Sequence, residues 1–308
     1  MFQTIYRRSL LGLAGAKPVE GFLKKRGMQL GVGRFVAGSS LEEAVTAAAA
    51  IEESGMLVIL DLLGEFVDDA RGAQAAGDEI VTAVNRLSKA VSDPAMSVKP
   101  SQLGLGLDFE LALENARRIA EQAQFAGTHI CLDMESHSFA DGTLRLYRTL
   151  HEEGFENVST VLQSYLKRSE TDLEALLELE PRPVLRIVKG AYREPAHIAF
   201  QDKAVVDSQF RKLIYRLLDG GGKANIATHD ERILREAAAY LKESGLKRGR
   251  YEYQMLYGVK PALQRYLREA KHPVRVYVPF GSDWYGYFSR RLAERPANLM
   301  FVVKGLFG

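Results

Sequence analysis

The chain has 308 residues, 46% of them hydrophobic and 26% charged, with a formal net charge of +2. That is ordinary globular composition with ample core, and so small a positive excess argues against a nucleic-acid partner or a strongly anionic surface. No stretch approaches the ~18 uncharged apolar residues of a membrane span, and one cysteine, Cys131, leaves no internal disulfide framework and points to a reducing compartment.

The chain opens on Met1 to Leu13, where Arg7 and Arg8 precede a short apolar patch. A signal peptide needs a longer apolar segment, and Gly15-Ala16-Lys17-Pro18 is a poor cleavage site, so this stretch reads as a basic leading helix. Leu41 to Glu53, alanine-rich with early acidic residues, is a second helix. A regular pulse follows. Short apolar runs recur at Met56–Leu60, Met96–Val98, His129–Leu132, Val158–Leu162, Val184–Val188, Ala224–Ala227, Tyr251–Met255 and Val274–Val278. Between them lie helical patterns at Glu79–Val91, Phe109–Ala126, Thr143–Glu153, Ser169–Glu180, Ala204–Leu218, Glu231–Ser244 and Lys260–Ala270. Eight strands alternating with helices imply parallel βαβ units, and eight is the number that closes a (βα)8 TIM-type barrel. The length fits a single catalytic domain over 1–308, with 1–54 as an N-terminal helical segment and 55–308 as the barrel. An open, doubly wound sheet is the rival.

Polar residues fall where a barrel would gather them. Nearly every run ends in a charged or reactive side chain: Asp61, Lys99, Asp133, Gln163, Arg186 with Lys189, Thr228 with His229, Gln254 and Tyr277. The C-terminal ends of barrel strands share one mouth, and catalytic groups there come from several strands. Lys99 closes a buried strand just before Pro100, and Arg186 interrupts an apolar one, where a buried guanidinium needs a partner. Asp133 would orient an amine or answer a cation, or else cap the next helix. Gly190 would let backbone approach a flat ligand such as a flavin, whose reduced ring gains negative charge that cations stabilise.

Other constellations are weaker. The histidines lack metal-ligand spacing, so no metal is expected. Cys131, within His129-Ile130-Cys131-Leu132, reads as core rather than nucleophile. Neither Gly31-Val32-Gly33 nor Gly104-Leu105-Gly106 completes a dinucleotide fingerprint. The last forty residues are richer: a strand ends at Pro279-Phe280-Gly281 and a helical pattern carries Tyr287, Arg290, Arg291 and Glu294. Two adjacent guanidiniums near a helix start form a fork for a carboxylate.

These motifs, taken in order, resemble those of the proline dehydrogenase family: Asp61-Leu62-Leu63-Gly64-Glu65, Ser97-Val98-Lys99, Leu132-Asp133, Leu162-Gln163-Ser164-Tyr165, Arg186-Ile187-Val188-Lys189-Gly190-Ala191-Tyr192, Ala227-Thr228-His229-Asp230, Gln254-Met255-Leu256-Tyr257-Gly258 and Tyr287-x-x-Arg290-Arg291-Leu292-x-Glu294. The set runs from about Leu57 to Asn298 and is similar to the short bacterial form, without an aldehyde dehydrogenase half.

The resemblance implies a distorted (βα)8 barrel with a final helix over its mouth, holding FAD and oxidising L-proline to Δ1-pyrroline-5-carboxylate. By position, Lys99, Arg290 and Arg291 would hold the substrate carboxylate, and Tyr192, Tyr277, Tyr287 and Leu256 would surround the ring. Asp133 and Arg186 take the catalytic places, with Arg186 beside flavin N5. Flavin contacts fall to Met134, Gln163, Val188, Lys189, Gly190, Ala191, Thr228 and His229, and a gating ion pair would join Glu65 to Arg290. Asp230 stands where the family more often has asparagine. The implied acceptor is a membrane quinone, which gives a cytoplasmic protein with possible peripheral contact at the inner membrane, through the basic N-terminal helix or the apolar tail Leu299–Val303. Rival readings are another FAD barrel enzyme (a methylenetetrahydrofolate reductase or a hydroxyproline oxidiser, the latter disfavoured by Tyr277) and a non-catalytic amino-acid sensor.

Overall fold

The computed structural model describes residues 32–64 and 67–294, without the side chains of residues 248 and 290–294. The leading basic helix and the apolar tail lie outside these residues. Helix α1 (Leu41–Glu53) opens with a capping box in which Ser40 and Glu43 satisfy each other's backbone donors. After it come β1 (Leu57–Leu62), α2 (Ala70–Leu87), β2 (Ala95–Val98), α3 (Phe109–Phe125), β3 (His129–Leu132), α4 (His137–Glu152), β4 (Val158–Gln163) and α5 (Ser169–Leu176). The second half continues with β5 (Val184–Val188), α6 (Lys203–Asp219), β6 (Lys223–Ala227), α7 (Glu231–Glu243), β7 (Tyr251–Leu256), α8 (Pro261–Glu269), β8 (Val274–Phe280) and α9 (Trp284–Glu294).

The eight strands form a closed parallel barrel in sequence order. It closes where β1 pairs with β8, from Leu57 opposite Arg275 to Leu62 opposite Phe280. The (βα)8 expectation is therefore correct, and the open-sheet rival is excluded. Closure removes both sheet edges, so each strand's backbone groups find partners on both sides.

Side chains alternate across every strand. The outward set, such as Ile130 and Leu132, Leu185 and Ile187, or Val276 and Val278, is buried under the helices in one continuous apolar core. The inward set is unusually polar for a barrel: Ser97, Ser159, Arg186, Asn225, Glu252, Gln254 and Arg275 are all buried.

Two helices begin earlier than their sequence pattern indicates, and glycine is the reason in both. α2 starts at Ala70, nine residues before Glu79, capped by Asp69, which accepts from the Gly72 N–H at 2.8 Å. Inside it, Gly77 sits against α3, where a Cβ would come within 2.6 Å of Arg118 Nη2. α4 starts at His137 rather than Thr143, and a Cβ on Gly142 would lie 2.9 Å from Leu105. These glycines permit close packing rather than breaking a helix. α5 stops at Leu176, short of the expected Glu180.

The last helix, α9, is anchored from outside the barrel. Trp284 and Phe288 pack with Val32, Phe35, Val36 and Leu63 in a second apolar cluster. Tyr287, on the same helix, faces the barrel mouth.

Candidate active site

The C-terminal ends of the strands surround a cavity of about 440 Å³, within the usual range for small-molecule sites. All the polar strand ends singled out from the sequence line it: Asp61, Lys99, Asp133, Gln163, Arg186, Lys189, Thr228, His229, Gln254 and Tyr277. Met134, Val188, Gly190, Ala191, Tyr192, Leu256 and Tyr287 complete the predicted set in the same wall. The structure thus brings together every predicted site residue whose side chain it describes. Glu65 and the side chains of Arg290 and Arg291 lie outside the described residues.

At the base of the cavity, Asp133 gathers donors from three strands. Its Oδ1 accepts from Ser97 Oγ at 2.5 Å and from Arg186 Nη1 at 2.6 Å, and its Oδ2 accepts from the Tyr277 phenol at 2.9 Å. Asp133 does not cap α4, whose N-cap is Ser136. Burial raises the Asp133 carboxyl, but the charges of Arg186 and Lys99 outweigh it and hold the group below its ordinary value, so it is ionised. Burial, with Asp133 nearby, pushes the Tyr277 phenol well above its ordinary range, so the phenol remains a donor. The Arg186 guanidinium also lies 5.2 Å from the Tyr277 ring centroid, within cation–π range.

Lys99 is buried. Its ammonium pairs with Asp61 and stands 3.8 Å from Asp133 Oδ2. Burial opposes that charge, yet Asp61 and Asp133 overcome it and raise the Lys99 pKa. Burial leaves Asp61 above the usual carboxylate range despite its lysine. One cation therefore faces two carboxylates of opposite tendency, and with Arg186 counted the four groups balance, two cations against two carboxylates. That arrangement suits a ligand that brings both an anionic and a cationic group.

The opposite wall handles charge differently. Lys189 pairs with Asp207 at 2.6 Å and with Asp230 at 3.1 Å. Asp230 also caps α7 by accepting from the backbone N–H groups of Arg232 and Ile233, so an acid rather than an amide here both starts the helix and holds Lys189. His229 Nε2 accepts from the Leu256 N–H at 2.9 Å, which ties the ring to β7.

Gly190 has φ of +114°, and a Cβ there would fall 2.2 Å from the Tyr165 ring. A side chain there would displace the Tyr165 ring, so its packing calls for glycine at this point of the cavity wall.

Two buried polar atoms at the cavity have no partner among the described residues: Arg186 Nη2, a donor, and Gln163 Oε1, an acceptor. Gln163 Nε2 is already used, donating to the carbonyls of Met134 and Glu135 at 3.1 Å each, which fixes the orientation that leaves Oε1 unpaired. An unpaired buried donor and acceptor are costly to the protein alone. The edge of an isoalloxazine, with its imide N–H and its ring acceptors, supplies a complement for both, so the residues present fit a flavin.

A sequence profile of the proline dehydrogenase family matches residues 44–304. The chain belongs to the proline dehydrogenase family. It is 44% identical to the proline dehydrogenase of Deinococcus radiodurans over 99% of both chains. It is 38% identical to proline dehydrogenase 1 of Bacillus subtilis strain 168, over 97% of this chain and 98% of the relative. Among solved structures, the proline utilization A protein of Bdellovibrio bacteriovorus, inactivated by N-propargylglycine, superimposes with a TM-score of 0.81 at 24% identity. That match covers 89% of this chain but 33% of the other, much longer one, and it speaks for the barrel alone. Membership of the family sets aside the folate-reductase alternative.

Reasoning from strand ends named Asp61 and Gln254 without giving either a role, and it missed Ser97, Glu252 and Arg275. The available signal was period two: Glu252-x-Gln254 and Arg275-x-Tyr277 place polar side chains on one face of strands whose other face is apolar.

Proposed function

We propose that this chain oxidises L-proline to Δ1-pyrroline-5-carboxylate with bound FAD and passes the electrons to a membrane quinone. The observation that carries the reading is the partnering at the mouth: cations for a carboxylate on one side, and the unpaired Arg186 Nη2 and Gln163 Oε1 on the other.

In this reading proline loses a hydride from C5 and a proton from nitrogen, and a C=N double bond forms between those atoms. FAD, when bound, supplies the two-electron acceptor. Lys99, with Arg290 and Arg291, holds the carboxylate, while Tyr192, Tyr277, Tyr287 and Leu256 wall the ring. Fixing the substrate at both ends removes much of the entropic barrier to transfer. Arg186 supplies positive charge beside the ring system, and Asp133, with Tyr277, holds its guanidinium in place. Met134, Gln163, Val188, Lys189, Gly190, Ala191, Thr228 and His229 hold the cofactor. Tyr287 and α9 close the mouth against water. A quinone acceptor calls for transient contact between a cytoplasmic enzyme and the inner membrane, and Glu65 with Arg290 forms the gate.

Incubation of the purified protein with L-proline and a short-chain quinone tests this. The expected result is one cyclic imine, trapped with o-aminobenzaldehyde, for each quinone reduced. Quinone reduction without imine, or no turnover with proline, sinks the reading.

A further inference from the structure

The Arg186 guanidinium is held from below as well as from the mouth. Its Nε donates to Gln254 Oε1 at 2.6 Å. Gln254 Nε2 in turn donates to Glu252 Oε1 at 2.6 Å, and the same oxygen accepts from Arg275 Nε at 2.8 Å. Arg275 ends the chain of contacts by donating to the Val58 carbonyl at 2.8 Å and to the Asp93 carboxylate at 3.1 Å. Arg186, Gln254, Glu252 and Arg275 are all at most 5% exposed. Gln254 forms part of the wall of two cavities, the mouth and a second one of about 160 Å³ at the other end of the barrel.

The sense of the Gln254 amide is dictated by its neighbours. Its carbonyl must face the guanidinium and its NH₂ the carboxylate, because reversal would set donor against donor and acceptor against acceptor. Burial raises the Glu252 carboxyl, but Arg275 more than offsets this and keeps it ionised. The negative charge at one end of the barrel thereby orients an amide dipole at the other, in surroundings where such interactions are strong. With Nε held by Gln254 and Nη1 by Asp133 and Ser97, Nη2 is the group of Arg186 left for a ligand.

We propose that Gln254 and Glu252 are positioning residues that fix the guanidinium of Arg186, so that the cofactor's redox poise is set from the far end of the barrel. The proposal rests on the flavin reading above for its effect on the cofactor, and on the hydrogen-bonded chain alone for its effect on Arg186.

Two variants test it in the full-length protein. Gln254→Met removes the acceptor while keeping the shape. The double variant Glu252→Gln with Gln254→Glu keeps an acceptor for the Arg186 Nε–H and moves the negative charge next to Arg186. In flavin-free protein, the Arg186 Nε–H resonance, assigned by its loss in Arg186→Lys, is expected to be shifted downfield and protected from exchange. Protection is lost in Gln254→Met and kept in the double variant. In FAD-loaded protein both variants shift the flavin midpoint potential to more negative values, and kcat falls while KM for proline stays within about twofold. An Nε–H still protected in Gln254→Met, or a potential unchanged in the double variant, overturns the proposal. A parent chain that takes up no flavin would count against the functional reading instead, and the resonance in flavin-free protein would still decide the positioning role.

Discussion

Tyr277 on β8 and Asp133 at the end of β3, three strands apart around the barrel, are joined by a hydrogen bond of 2.9 Å from the phenol to Oδ2. The bond makes the ring wall and the anchor of Arg186 a single unit. Asp133→Ala would leave Arg186 with a buried charge missing its carboxylate, at a cost of about 3–5 kcal/mol. Tyr277→Phe removes one charge-assisted hydrogen bond and costs about 1.5–3 kcal/mol. Asp133 titrates below its ordinary 3.8 in the folded chain, so its contribution to stability is present above that pH and fades as pH falls through the depressed folded value. Urea titration of the parent and Asp133→Asn should give curves that differ at neutral pH and converge in strong acid.

The pairing of Lys99 with Asp61 bears on ligand affinity. A saturated ring carboxylate without the amine, such as cyclopentanecarboxylate, isolates the anionic half of the substrate. Lys99→Met should weaken its binding by about tenfold or more, since an ionic hydrogen bond is worth about 1.5–3 kcal/mol. Asp61→Asn removes a competing negative charge and should tighten it. Calorimetric titration measures both, and tighter binding by Lys99→Met would contradict the assignment. Arg290→Met should raise KM for proline by at least tenfold while FAD remains bound.

At the far end of the barrel, burial and the nearby charge of Arg275 lower His129 from 6.5 to about 4. Between those values the unfolded chain binds a proton that the folded chain refuses, so stability falls as pH drops through that window. The loss amounts to about 3 kcal/mol at most, less the screening its half-buried ring receives. His129→Gln should show a shallower decline in Tm from pH 7 to pH 4.5 than the parent.

Cys131 is buried, and burial pushes its thiol up to about 11. The thiolate is the reactive form, so iodoacetamide at pH 8 should leave the native protein unmodified and label it fully in denaturant. Rapid labelling of the native fold would contradict a purely structural role.

The barrel was legible because its outward residues carry the apolar pulse, and the mouth because strand ends such as Lys99, Asp133 and Arg186 break that pulse at its C-terminal edge. The starts of α2 and α4 were hidden by Gly77 and Gly142. From sequence a glycine marks a breaker, whereas here both lie inside a helix against the side chains of Arg118 and Leu105. The chain from Arg186 to Arg275 was hidden for another reason: its members lie in strands, and their contacts are set by barrel closure, which no local pattern encodes. The contact of Gly190 with Tyr165 was not legible, because Tyr165 sits on a different strand's loop.

The most direct test of the central claim is the visible absorbance spectrum of the purified protein, recorded before and after anaerobic addition of L-proline. The account predicts flavin bands that bleach with proline and not with NADH. A colourless protein that cannot be loaded with FAD, or bands that proline leaves unchanged, would contradict it.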